Sequence, residues 1–300
     1  MFIKKNINQP QYVFWTSVLF IWILSTLIDR IWWNFYSSTP SWDQADYLNS
    51  ALDHARALSF VGGDGALDFH SFLDKSPKIP PLASIINGTV IAIAGDAPHK
   101  AAWSLSLWNG FFIFNIASWG LYLRGKTYAF FCVLISAFSP FIFNLRTDYV
   151  LELPLISVVT FYLFHLGIWS DKSIGGKWIQ LIFASFACAF SLLIKQSSLL
   201  VIIPSLLFIF FLSFKRENKF RLQFLCLILF NLSAILPWFY HNWIMILSGT
   251  YRAIFESAAI EGDPFILGFK SIFWYFPYLD NQFGSIIFFS GFSGILFAFL

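Results

Sequence analysis

The sequence predicts an all-α integral membrane protein, and two features of its composition carry this prediction. Hydrophobic residues make up 58% of the 300 residues and aromatic residues 21%, while charged residues reach only 12%, against about 25% in soluble domains. A soluble fold of this length has too little interior to bury so much apolar surface. The composition therefore excludes a disordered chain, a disulfide scaffold, a coiled coil and a nucleic-acid-binding module.

Apolar runs long enough to cross a bilayer, which needs about 20 residues, recur along the whole chain. We expect about eight transmembrane helices in one integral-membrane domain that occupies residues 1–300. The last run begins near residue 284 and is still apolar at Leu300, so we expect a truncated product or part of a longer protein. The seven other runs are 12–33, 101–123, 127–145, 150–169, 178–194, 196–213 and 222–247.

The first run, 12–33, follows Lys4 and Lys5 and is longer than the apolar core of a signal peptide. No small-residue cleavage site follows it. We therefore expect a retained first helix, which Trp32 and Trp33 anchor at the membrane interface.

An amphipathic helix is expected early in the segment 34–100. Within 44–60, apolar residues recur at helical spacing, which is typical of a helix that lies on the membrane surface. Asp43 precedes this helix, at a place where a carboxylate is also a common helix cap. The recurring apolar residues are Leu48, Ala51, Leu52, Ala55 and Leu58.

Residues 80–96 are apolar but short, and whether they cross the membrane decides the side of every later loop. If they do not cross, four short cytoplasmic loops hold ten of the nineteen Lys and Arg residues and only two acids, as the positive-inside rule requires. If they cross, the basic loop 214–221 faces outward. We therefore expect an interfacial or shallow re-entrant helix at 80–96, with long periplasmic loops at 34–100 and 248–283. The four cytoplasmic loops are 1–11, 124–126, 170–177 and 214–221.

Cys132, Cys188 and Cys226 each lie inside an apolar run, with no Cys or His at metal-ligand spacing. They indicate no disulfide framework and do not identify the redox compartment. We expect them to be small buried residues.

Ionisable residues gather on the predicted outer face. A charged group at membrane depth costs about 2.5–3.5 kcal/mol on insertion scales, so such residues are functional candidates. We expect a cavity of acidic and basic groups, in which Lys and Arg side chains and helix ends hold phosphate, because the sequence contains no glycine-rich phosphate loop. The candidates are Asp43, Asp46, Lys75, Lys78, Arg146, Asp148, Glu152, Lys195, His241 and Arg252.

Five short motifs follow one another along the chain: WDQADYL at 42–48, KIPPL at 78–82, RTDYVLELPL at 146–155, LIK at 193–195, and PW at 237–238 with Asn242. In this order and spacing they resemble the GT-C glycosyltransferases, which include the protein O-mannosyltransferases and the lipid A aminoarabinose transferases. The resemblance covers about residues 12–260. It implies a GT-C-like fold that is short at its C-terminus.

The resemblance also implies an activity, the inverting transfer of a sugar from a polyprenyl-phosphate donor to a hydroxyl of a lipid, glycan or protein. The reaction would take place on the periplasmic side of a bacterial inner membrane. In the family an Asp–Glu pair opens the first outer loop, and its Asp is the proposed base; here the pair reads Asp43-Gln44. Glu152 matches the family's second acid better than Asp148 does. The implied catalytic residues are therefore Asp43 and Glu152.

The chemistry of the candidate residues fits such a transfer. The acceptor hydroxyl needs a base, which Asp43 could provide, and the leaving phosphate needs cations, which Lys78 and Lys195 could provide with Arg252. Glu152 could position the acceptor or share a divalent metal with Asp43, and the sequence identifies no certain cofactor. The candidate substrate-binding residues are Asp46, Tyr47, Lys78, Asp148, Lys195, His241 and Arg252.

Two other functions stay open at this point. A transporter or flippase of a lipid-linked or anionic substrate could line its pathway with the same charges, although transporters typically contain paired repeats and broken helices near the midplane. The second alternative is a truncated, inactive relative of the glycosyltransferases. Each candidate also has a structural alternative: a helix cap or helix-start acid for the carboxylates, an interfacial anchor for Lys195 and His241, and a loop charge for Arg252.

Overall fold

The structure is a computed structural model that describes residues 11–36, 42–58, 73–171, 176–216, 218–252, 255–256, 260 and 269–274. Within these ranges the chain is helical and forms no β-strand, as the sequence predicts. Most of the predicted loop 248–283 and the whole run from residue 284 lie outside the described residues.

The described helices agree with the predicted runs to within a few residues at α1, α2, α8 and α9. A 3₁₀ turn at Gln196–Ser198 joins α9 to α10. The helices are α1 (Gln11–Phe35), α2 (Trp42–Leu58), α3 (Leu82–Ala94), α4 (Pro98–Ala101), α5 (Trp103–Arg124), α6 (Lys126–Phe138), α7 (Pro140–Thr147), α8 (Glu152–Ser170), α9 (Trp178–Ile194), α10 (Leu199–Phe214), α11 (Asn218–His241), α12 (Trp243–Arg252) and α13 (Phe269–Trp274).

Four helices in the described ranges are long and apolar enough to cross a membrane: α1, α8, α10 together with its 3₁₀ turn, and α11. The bent pair α6 and α7 would make a fifth span. The length and composition of these helices fit an integral membrane protein. The count of eight spans and the GT-C-like arrangement stay predictions.

The predicted span 127–145 is not one continuous helix, because α6 and α7 are bent by 54° where they join. Pro140 has no backbone N–H, and it favours an extended conformation at Ser139, whose φ is −66° and ψ 142°. The Ser139 hydroxyl instead caps α7 and accepts a hydrogen bond from the Ile142 amide at 3.3 Å.

Arg146 does not belong to the outer charges among which the sequence places it. Its side chain is 1% exposed and lies 3.0 Å from the carboxylate of Asp29 in α1, which is equally buried. The guanidinium also donates to the Ala137 carbonyl. Since a buried charge is tolerated only with partners, Arg146 is a structural link between α1 and the α6–α7 bend.

α5 is joined to its neighbours by polar side chains. Asn109 donates to the Ser25 hydroxyl of α1 at 3.0 Å, and the Trp108 indole donates to Oδ1 of Asn87 in α3 at 2.8 Å. Asn115 donates to a backbone carbonyl of α8 at 3.0 Å. α5 therefore links α1, α3 and α8 to one another.

α2 is the predicted amphipathic helix, and it packs against α3. They meet at Gly88, where a Cβ atom would lie 2.7 Å from the Ala51 carbonyl oxygen and 2.9 Å from the Ala55 nitrogen. α3 has 13 residues, a length of roughly 20 Å, whereas the hydrocarbon core of a bilayer is about 30 Å thick. α3 alone is too short to cross, in agreement with the expectation for 80–96.

The cysteines differ in exposure: Cys188 is buried, Cys132 is intermediate and Cys226 is exposed. Burial is thus the wrong expectation for Cys226. α11 buries a single stripe of side chains at roughly helical spacing, and Cys226 lies off that stripe. The buried side chains of α11 are Gln223, Leu227, Asn231 and Trp238.

Candidate functional site

Four elements meet near the beginning of α8, and they bring together six of the nine predicted site residues. α2 provides three of them, and the others come from the segment before α3, the first residue of α8 and the residue after α9. We call Asp43, Asp46, Tyr47, Lys78, Glu152 and Lys195 the carboxylate–lysine cluster.

Helical spacing places the three α2 members on one face, because residues i, i+3 and i+4 are neighbours on a helix. Tyr47 is buried, while Asp43 and Asp46 are exposed. α2 begins at Trp42, whose φ of +47° is a left-handed conformation that costs a non-glycine residue about 1–2 kcal/mol. Asp43 follows in the first turn, where the helix dipole favours a carboxylate. α2 thus presents two carboxylates beside a buried phenol.

The hairpin of α8 and α9 brings Glu152 and Lys195 together. The helices pack side by side, and the first residue of α8 lies beside the residue that follows α9. The Lys195 ammonium donates to Oε1 of Glu152 and lies 5.9 Å from the ring centre of Tyr47, within the range of a cation–π contact. Both side chains of the pair are partly buried.

Lys78 approaches the cluster from the segment that leads into α3. Its ammonium lies 3.4 Å from Oδ2 of Asp46, and its backbone carbonyl accepts a hydrogen bond from Gln196 Nε2 at 3.1 Å. Pro80 and Pro81, both buried, follow directly and restrict the backbone of this segment. The motif KIPPL therefore fixes a lysine against α2.

Tyr47 is a hydrogen-bond donor that does not ionise near neutral pH. Burial raises the pKa of its hydroxyl far above the ordinary value of 10, and the charges of Asp43, Glu152 and Asp46 raise that pKa further, in this order of size. Asp43 and Asp46 share the helix of Tyr47, and Glu152 is joined to Tyr47 through the Lys195 ammonium.

The three carboxylates of the cluster differ in their partners. Asp46 faces Lys78 and Glu152 faces Lys195. Asp43 forms no ion pair with any residue that the structure describes. An exposed carboxylate without a cation is the group of the cluster best suited to accept a proton from a substrate hydroxyl.

The other three predicted site residues lie outside the cluster. His241 Nε2 is 2.7 Å from Oδ1 of Asp74, and Arg252 is 3.5 Å from Glu256 on its own stretch of chain. Asp148 follows α7, and partial burial raises the pKa of its carboxyl. No ion pair joins these three residues to the cluster within the described ranges, and their role in substrate binding stays a prediction.

Sequence reasoning named His241 and Asn242 but missed their partners, Asp74 and Leu73, which lie in the segment that leads to Lys78. The Asp74 carboxylate is the hydrogen-bond partner of the His241 ring, and the Asn242 side chain donates to the Leu73 carbonyl at 3.0 Å. These partners are separated by well over a hundred residues, so no local pattern could pair them. The available sequence signals were His241 and Asn242, which were already singled out, and Gln196, which directly follows Lys195 and donates to the Lys78 carbonyl.

The carboxylate–lysine cluster offers too few ligands for a divalent metal shared by Asp43 and Glu152. In the part of the chain that the structure describes, no group of three or more His, Cys, Asp or Glu residues is placed to hold a metal ion. Two of the three carboxylates in the cluster already face lysines. The described donor set does not fit a resident divalent metal.

Comparisons with protein-family models, with curated proteins and with solved structures found no match to this chain.

Proposed function

We propose that the chain is an inverting glycosyltransferase that moves a sugar from a polyprenyl-phosphate donor to an acceptor hydroxyl on the periplasmic side of a bacterial inner membrane. One observation carries the proposal. Five charged residues of the motifs that resemble GT-C glycosyltransferases come from four distant stretches of the sequence and form the carboxylate–lysine cluster with Tyr47, while Asp148 of the same motifs lies outside it.

The proposed reaction is a single displacement. The acceptor oxygen forms a bond to the anomeric carbon while the bond from that carbon to the phosphate oxygen breaks, through an oxocarbenium-like state. The hydroxyl proton passes to the Asp43 carboxylate, and the bonding electron pair leaves with the polyprenyl phosphate. The acceptor and the leaving group occupy opposite faces of the sugar, so the configuration inverts.

The two lysines stabilise the negative charge that grows on the leaving phosphate. Lys195 is the better placed, because it is partly buried against Tyr47. The neutral Tyr47 hydroxyl is a donor available to a sugar or phosphate oxygen. Glu152, at the start of α8, is in position to bind the acceptor.

The apolar helices suit a lipid-linked donor. α10 and α11 expose many large hydrophobic side chains along their length, and a polyprenyl tail is held by such surfaces through the hydrophobic effect. Those side chains include Leu200, Phe208, Phe211, Leu225, Leu229 and Leu236. The donor would lie in the membrane with its phosphate at the cluster.

The test is transfer by the purified protein in detergent or lipid. A polyprenyl phosphate that carries a radiolabelled sugar is incubated with protein and a mixed envelope extract as acceptor, and the sugar released from the lipid is measured. We expect release that depends on protein and on acceptor. An absence of release with hexose, pentose and amino-sugar donors would overturn the proposal.

One observation favours the rival function, which is transport of an anionic or lipid-linked substrate. The bent pair α6–α7 is a broken helix, and it is linked to α1 by the buried pair of Asp29 and Arg146, as in many transporters. Vesicles that contain the protein and the donor in one leaflet separate the two functions. Movement of intact donor to the other leaflet would favour the transporter, and loss of the sugar without movement would favour the transferase.

A further inference from the structure

Both lysines of the carboxylate–lysine cluster already have a carboxylate partner. Lys195 donates to Glu152, and Lys78 lies 3.4 Å from Asp46. With Asp43 included, the cluster holds three carboxylates and two ammonium groups near Tyr47. Three carboxylates against two ammonium groups leave the cluster with a formal charge of −1, so a phosphate anion gains an ammonium partner only by taking the place of a carboxylate.

The two ion pairs differ in solvent exposure, and therefore in how strongly water and salt screen the attraction between their charges. The side chains of Lys78 and Asp46 are 61% and 49% exposed, so water and salt screen that pair and it contributes little. Lys195 and Glu152 are 26% and 38% exposed, so their attraction is less screened. Lys195 is therefore the lysine whose partner matters most for an incoming anion.

The phosphate of a polyprenyl-phosphate sugar is a diester, with one negative charge and two non-bridging acceptor oxygens. It can therefore compete on equal terms with the Glu152 carboxylate for an ammonium group. The displaced carboxylate would not be stranded, because Glu152 lies in the first turn of α8, where the helix dipole favours a negative charge. Its side chain also reaches solvent.

We propose that Glu152 and the phosphate of the lipid-linked donor compete for Lys195, so that donor binding breaks the ion pair and frees the Glu152 carboxylate to bind the acceptor. The pair is then a positioning device that makes donor binding precede acceptor binding. This inference rests on the proposed function, since its ligand is the phosphate of that donor.

The experiment measures binding of farnesyl phosphate, a short polyprenyl monophosphate, by isothermal titration calorimetry on the full chain in detergent. In Glu152→Gln the Lys195 ammonium has lost its competitor, and we expect binding about five-fold tighter than in the wild type. In Lys195→Gln we expect binding about ten-fold weaker, and adding Glu152→Gln to it should bring less than a two-fold gain. Lys195→Arg keeps the charge and should restore most of the affinity.

Asp46→Asn is the matched control, because it removes an equal charge from the same cluster. Any gain from Asp46→Asn should persist in the Lys195→Gln background, since it arises from reduced repulsion in general. The gain from Glu152→Gln should vanish there. Elution volume in size-exclusion chromatography and thermal unfolding confirm that each variant is folded.

The binding measurements can overturn the exchange of partners at Lys195 in three ways. Equal or weaker binding in Glu152→Gln than in the wild type would overturn the exchange, even if sugar transfer is observed. A gain that survives Lys195→Gln would also overturn it, as would the absence of binding in every variant. If the gain depends on Lys195 but no donor yields sugar transfer, the exchange stands as phosphate binding and the proposed glycosyltransferase falls.

Discussion

Asp43 and Asp46 lie one helical turn apart and differ in one contact, because only Asp46 faces a lysine. We expect Asp43→Asn to lower the turnover of sugar transfer by at least about 10²-fold, the loss typical of a missing general base. The amide keeps the size of the side chain, so expression and donor affinity should change little. Initial rates at saturating donor measure the effect.

Asp46→Asn is the control for the loss of Asp43, since it removes an equal charge three residues away. It should retain much more activity. Near-full transfer in Asp43→Asn, together with abolished transfer in Asp46→Asn, would mean that the base is assigned to the wrong residue of α2.

His54 makes stability depend on pH. It is fully buried in α2, its Nδ1 donates to the Ser50 carbonyl at 2.7 Å, and burial lowers its pKa below the ordinary value of 6.5. The unfolded chain therefore binds a proton that the folded chain excludes, and this contribution to stability is present above pH 6.5 and is lost as the pH falls below it. Between pH 7 and pH 5 the unfolding temperature in detergent should fall more in the wild type than in His54→Gln. Equal falls would refute the assignment.

Sequence reasoning works at this scale where residues are close in the chain or mark helix ends. The helix of Asp46 and Tyr47 was predicted from its apolar spacing, although Asp43 was expected to precede this helix and lies in its first turn. The role of Arg146 could not be predicted, because its partner Asp29 is 117 residues away and only the packing of α1 against α7 brings them together.

At the scale of elements, Gly88 sets the distance between α2 and α3. A Cβ atom there would lie 2.7 Å from a backbone oxygen of α2, and backbone cannot move aside as a side chain can. We expect Gly88→Ala to destabilise the protein by about 1–3 kcal/mol. Because α2 carries half of the cluster, sugar transfer should fall as well. Thermal unfolding in detergent and the transfer assay measure both effects.

Gly167 is the matched control for Gly88, because it also lies inside a helix but has open space where its Cβ atom would be. Gly167→Ala should be neutral or slightly stabilising, by up to about 1 kcal/mol. If the two alanine variants unfold at the same temperature, the close contact of α2 and α3 does not contribute to stability.

The helices themselves were largely predictable, and their interruptions only in part. Hydrophobic periodicity and run length locate α1, α2, α8 and α9. The break at Ser139 had a signal in Pro140, but a long apolar run on both sides outweighed it. The boundary between α11 and α12 depends on Asn242, whose buried side chain bonds to Leu73 and Trp238, and these contacts are tertiary.

At the scale of the whole molecule, the structure supports four or five spans among the described residues, and the predicted count of eight stays a prediction. α5 has 22 residues, but it is not among the helices apolar enough to count as a span. The polar side chains of α5 lower its hydropathy, although several of them are hydrogen-bonded to α1, α3 and α8. Hydropathy measures composition, and it cannot register that a polar group has a partner.

The structure separates the two charged regions to opposite ends of α8. Glu152, at its first residue, meets Lys195, while Arg216 of the basic loop 214–221 donates to the carbonyl of Ser170, its last residue. α8 has 19 residues, so these ends are roughly 28 Å apart, about the thickness of the hydrocarbon core. If α8 crosses the bilayer, the cluster and the basic loop face opposite sides.

The side that each region faces is testable with single cysteines in intact cells. The three native cysteines are first replaced by serine, and Asp148→Cys and Lys219→Cys are then introduced at exposed positions. Because short basic loops stay in the cytoplasm, a membrane-impermeant maleimide should label the cysteine at 148 and spare the one at 219 until the cells are permeabilised. The reverse pattern would place the carboxylate–lysine cluster in the cytoplasm, where a periplasmic donor cannot reach it, and labelling of both positions would mean that α8 does not cross.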